Sequence, residues 1–160
     1  MTFPIKAFTL KGSAKNDKIE MLIEEVYDFP DRTSHLGGYD FRGTVNIQIG
    51  SFMVNDARIF SSTGTLYRLF TALQQCYHSL EGTATFCNYY ESEFTFHLNM
   101  IKLGHAVISG EYQQYLHLNT KLIFEMETDQ TCILATIQDL QHIIRLFGDE
   151  FGKRLGIAQE

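Results

Sequence analysis

The sequence contains no tryptophan, two prolines and three cysteines in 160 residues. Cys76, Cys87 and Cys132 are odd in number and lack C-x-x-C spacing, which argues against a disulfide framework or a zinc knuckle. A reducing, cytoplasmic compartment is the expectation. No stretch approaches the roughly 18 apolar residues of a membrane span. The opening MTFPIKAFTLKGSAKNDK breaks every apolar run with lysine or polar residues, so it lacks a signal-peptide core. Positive charge is scarce as well: 13 Lys+Arg face 19 Asp+Glu, for a net charge of −6. Direct binding to nucleic acid needs clustered basic residues that displace counterions, and these are missing. A basic protein partner suits the charge better, because opposite fields speed encounter.

What is present is ordinary for a globular chain: 44% hydrophobic and 20% charged residues, enough to exclude disorder. At this length one domain is expected over residues 1–160, with a core from about 4 to 147 and a tail from 148 to 160. Thirteen Phe and eight Tyr favour strands, where flat rings pack on a pleated surface. Residues 39–49, Tyr-Asp-Phe-Arg-Gly-Thr-Val-Asn-Ile-Gln-Ile, alternate strictly between apolar or glycine and polar. Gly50-Ser51 then suits a tight hairpin turn, and the chain returns through Phe52, Val54 and Ala57 to Phe60. Upstream, Ile19, Met21 and Ile23 alternate until Glu24-Glu25 disturbs the phase, as a bulge would. The second half repeats the pattern in Phe94 to Met100, Ala106 to Tyr112 and Leu122 to Met126.

Two segments change period. Leu66, Leu69, Phe70, Leu73, Tyr77 and Leu80 fall at helical spacing, as do Ile133, Ile137, Leu140, Ile144 and Phe147 with Gly148 as a stop. The fold class is therefore α+β: an antiparallel sheet with two amphipathic helices on its apolar face, strands then helix, twice over. One core should gather Phe41, Val45, Ile47, Phe70, Leu73, Phe96, Ile108, Phe124, Ile137 and Leu140. The opposite face of the sheet is polar and open.

Candidate chemistry is thin. Ser61-Ser62-Thr63-Gly64-Thr65 ahead of a helix could hold an anion or a nucleophile. The simpler reading is a cap by Thr63 or Thr65, with Ser61-Ser62 ending a strand. No G-x-S-x-G elbow or Walker sequence accompanies it, and the cap reading is preferred. Cys76 and His78 point about 200° apart on a helix and cannot pair as nucleophile and base. His97 and His105 with Glu111 or Glu125 could hold a divalent metal only if the strands bring them together, and no third ligand is set by spacing. Catalytic residues, metal and cofactor are therefore not expected. Acidic residues gather at 24–31 and at Glu125, Glu127 and Asp129, either as a solvated surface or as a contact for a basic partner.

Ile23-Glu24-Glu25-Val26-Tyr27-Asp28-Phe29-Pro30, then Gly38-Tyr39-Asp40 opening an alternating strand, resembles the front of the WapI-like immunity family. The helix around Leu66–Leu80, Gly82-Thr83-Ala84-Thr85-Phe86, and Leu122-Ile123-Phe124-Glu125 before Thr128-Asp129-Gln130 continue the likeness, from about residue 19 to residue 147. The resemblance implies a small bacterial cytoplasmic antidote that binds and neutralises the C-terminal domain of a polymorphic toxin. It implies no enzyme activity and carries over no interface residue. A small-ligand binder or minor enzyme with a pocket at the sheet face, recognisable by His97, His105 and a carboxylate in one cleft, is the alternative. A self-associating domain using an edge strand is a third. For a toxin-binding protein, the open face would present Asp40, Arg42, Asn46 and Gln48, with Thr95, His97 and Glu125 nearby, to a basic toxin domain; neither nucleic acid nor membrane is an expected partner.

Overall fold

The computed structural model describes residues 1–88, 90 and 92–154. Strands β1 (Ile5–Lys11), β2 (Lys18–Val26), β3 (Asp40–Ile49) and β4 (Phe52–Ser62) lead into helix α1 (Thr63–Ser79). Strands β5 (Thr83–Asn88), β6 (Glu93–Met100), β7 (His105–Gln113) and β8 (Leu122–Asp129) lead into α2 (Gln130–Phe147). The class is α+β, with strands then helix occurring twice. Where the alternation suggested a single sheet, the strands form two, each of four antiparallel strands in chain order. Each strand pairs with its neighbour in the chain, across short turns or the longer connections 27–39 and 114–121, while α1 carries the chain from one quartet to the next.

Strand β3 behaves as its alternation demands: Phe41, Gly43, Val45 and Ile47 are buried and the residues between them are half-buried. Gly50 takes the positive φ of 58° that the β3–β4 turn requires. The expected bulge lies where Ile23 and Glu25 shift register against β3. A second bulge falls in β4 opposite Val45–Ile47, where Asp56 has φ 49°. A third, between Lys6 and Phe8 of β1, turns Ala7 and Phe8 both inward.

Helix α1 starts at Ser62, whose hydroxyl accepts the Thr65 amide at 3.2 Å. The cap is thus Ser62 and not Thr63 or Thr65: the Thr63 hydroxyl is turned to the Tyr39 amide, 2.8 Å away. Ser61 and Ser62 do end a strand, both lying in β4. Helix α2 is capped by Asp129, which accepts the Cys132 amide at 3.0 Å, and stops at Gly148 with φ 90°.

The inner faces of both sheets and the stripes of both helices share one apolar cluster, in which all ten expected core residues are buried. Phe8 of the first sheet meets Phe96 of the second edge-on at 6.2 Å. Helix α2 covers the free edge of β1 with side chains. Asp139 accepts the Thr9 amide at 3.0 Å and an ion pair from Lys6 at 3.1 Å, while the Thr136 hydroxyl donates to the Thr9 carbonyl at 3.0 Å. The end of β1 is tied to β8 by Thr128 donating to the Lys11 carbonyl and by the Ser13 amide donating to the Glu127 carbonyl, each at 2.7 Å. Beyond α2, Arg154 stacks over Phe29 at 5.7 Å. The remainder of the expected tail, 155–160, lies outside the described residues.

Candidate functional site

The outer side chains of the two sheets differ in character. On the first sheet, Asp40, Arg42, Asn46 and Gln48 share one phase of β3, as expected. Two of the four already have work within the fold. Arg42 lies 3.8 Å from Glu24 and 3.5 Å from Glu25, holding the β2 bulge. The Asn46 side-chain oxygen accepts the Asp56 amide at 2.8 Å, holding the β4 bulge. The cross-strand register sets Lys18 beside Gln48, Glu20 beside Asn46 and Arg58 beside Thr44. Cations and carboxylates are interleaved on this face.

On the second sheet the register builds three outer rows: Thr83–Asn99–Val107–Glu127, Thr85–His97–Ser109–Glu125 and Cys87–Thr95–Glu111–Ile123. None of these twelve side chains is a lysine or arginine. The Thr83 hydroxyl donates to Asn99 at 2.8 Å, and Thr85 and His97 share a hydrogen bond of 2.9 Å. Glu111 is paired with Lys121 at 3.0 Å. Thr95, His97 and Glu125 therefore do stand on one face, with His97 and Glu125 in the same row. They are not on the sheet that carries Asp40, Arg42, Asn46 and Gln48, so the seven residues fall into two groups.

The catalytic alternatives meet physical obstacles. His97 pairs across from Ser109 and His105 across from Asp129, so their backbone positions lie about 13 Å apart along β7 at the strand rise. Among the described residues, no three of His, Cys, Asp and Glu stand close enough to hold a metal. The Asp129 carboxyl is held below its usual range, chiefly by the Cys132 amide, with His105 a lesser influence. That is cap chemistry. Cys76 is buried in the apolar stripe, and burial raises its thiol pKa, which keeps it in the unreactive form. Ser61 and Ser62 are buried too. A cleft of about 480 Å³ between the start of α1 and β5 is lined by His35, Leu36, Arg68, Cys87, Asn88 and Tyr90 among others, and a neighbour of about 510 Å³ includes Tyr27, Arg32 and Asp40. Neither takes in His97 or His105.

The model of the Immunity protein WapI-like family matches residues 9–148. The chain belongs to this family. A search of the curated proteins returned no match. For a WapI-like immunity protein the family suggests a toxin-neutralising role exercised through protein binding. Among the described residues, no helix is long and apolar enough to cross a membrane.

One feature of this immunity protein's surface escaped the sequence reading. The β7–β8 loop exposes Tyr115, Leu116 and Leu118, and Ile123 on the adjoining strand is 69% exposed. The signal was available, since three large apolar residues in four positions are unusual for a polar connection.

Proposed function

We propose that this WapI-like immunity protein neutralises a bacterial toxin domain by binding it one to one in the cytoplasm, without catalysis, and that the partner presents a basic surface. The observation that carries the reading is the family match over residues 9–148. The net charge of −6 supports the sign of the partner. The mechanism is occlusion. A rigid sheet face laid over the toxin's working cleft blocks substrate sterically and competes with it for the cleft's cations. A specific contact of this kind buries about 1,200–2,000 Å² in total. The apolar cluster shared by both sheets and both helices supports reading the chain as a single domain.

Co-expression tests the reading. The C-terminal domain of the toxin gene adjoining this chain's gene is induced in a bacterial host, with and without the chain. Growth arrest by the toxin domain alone and recovery on co-expression are expected, with the two proteins eluting together on gel filtration. Arrest that persists while the chain is present in soluble form would overturn the proposal.

A further inference from the structure

We infer that the partner docks on the outer face of the second sheet rather than the first, and that it meets this face with a surface rich in lysine and arginine. The inference rests on the toxin-binding reading above and deepens it. Its first support is the distribution of charge. On the first sheet, Arg42 answers Glu24 and Glu25, and Lys18 and Arg58 stand among Glu20 and Asp40. On the second, Lys121 answers Glu111, whereas Glu125 and Glu127 project from β8 with no cation in their rows. Of the two outer faces, the second therefore carries the less balanced charge. A field of one sign attracts its opposite and rejects like-charged surfaces, which gives orientation as well as speed.

The second support is an apolar margin that adjoins the acidic rows, whereas the exposed Phe52 and Met53 at the β3–β4 turn adjoin the balanced face. Ile123 occupies the same outer face, one row from Glu125, and the loop bearing exposed Tyr115, Leu116 and Leu118 leaves the same end of the sheet. The loop is braced by the Gln113 side chain, whose amide donates to the Tyr115 carbonyl at 3.4 Å. The same amide also bonds the Leu118 carbonyl. Apolar anchors beside uncompensated charge are the two parts of a specific protein contact: the anchors set the lifetime, and the charges set the encounter rate. Rigidity, which both sheets share, bears on the affinity and not on the choice of face. The face is laid out on four hydrogen-bonded strands, so little ordering is lost when a partner settles on it.

The test uses the full chain and the toxin domain of the co-expression experiment, with association followed at low and high salt. Glu125→Gln with Glu127→Gln should slow association about tenfold at low salt and flatten its salt dependence. Tyr115→Ala with Leu116→Ala should speed dissociation about tenfold while leaving association nearly unchanged. Glu24→Gln with Glu25→Gln, on the first sheet, should leave both rates nearly unchanged. Thermal melting of each variant establishes that it is folded. If the first-sheet variant loses association and the second-sheet variants keep it, this inference fails while the toxin-binding reading stands. If wild type does not bind the toxin domain at all, both fail.

Discussion

Phe124 and Gly110 face one another across β7 and β8. A Cβ built on Gly110 would lie 2.4 Å from the Phe124 ring, so the glycine is where the ring rests. The alternation of β7 placed Gly110 on the inward phase, but the sequence has no way to announce which cross-strand neighbour fills the gap. Phe124 itself is buried. Replacing it with alanine should lower stability by about 3–5 kcal/mol, combining lost transfer energy and a cavity. Denaturant unfolding measures this, and a loss near zero would reject the placement. The identity of the α1 cap was equally beyond reach of pattern reading. Five small polar residues in a row all qualify as caps, and the choice of Ser62 follows from Thr63 being drawn to the Tyr39 amide.

At the scale of elements, strict periodicity was the legible part. Strand β3, the β2 bulge and both helix stripes lie where alternation and spacing put them, except Leu80, which is the left-handed C-cap of α1 and is exposed instead of closing the stripe. Strands β1 and β5 were not legible from periodicity. In β1 the bulge turns adjacent Ala7 and Phe8 inward, which erases a period of two, and β5 has only six residues to display one. The division into two sheets was hidden for another reason: turn chemistry tells which strands neighbour each other, not where a sheet ends. The caps yield a pH prediction. Asp129 has its pKa lowered in the folded protein, first by the Cys132 amide hydrogen bond. Its contribution is therefore complete above the unfolded aspartate value, about 3.9, and is lost as pH falls through the lower folded one. Asp129→Ala should cost about 0.5–2 kcal/mol near neutrality. The gap from wild type should narrow in strong acid, as unfolding curves across pH would reveal. A gap that stayed constant, or widened in acid, would remove Asp129 from the role of charged cap.

Over the whole molecule, the family and the α+β class were legible from small motifs and periods, and the family match spans residues 9–148. The candidate face was legible only in halves. Outer phase could be read for Asp40, Arg42, Asn46 and Gln48, and for Thr95, His97 and Glu125, but their separation onto two sheets depends on long-range pairing that no local pattern encodes. The contrast between a balanced first face and an acidic second face emerges only once the strands are in register. A binding protein and an enzyme also differ at this scale in what one molecule can accomplish. A binder occupies one toxin and stops, whereas a catalyst inactivates many. Titrating purified chain into a fixed amount of toxin domain, well above their dissociation constant, and reading residual toxin activity separates the two most directly. Stoichiometric neutralisation by occlusion requires activity to fall linearly and vanish at one equivalent, with full recovery when the complex is dissociated and the toxin reisolated; complete loss at a small fraction of an equivalent, or toxin left permanently altered, would contradict it.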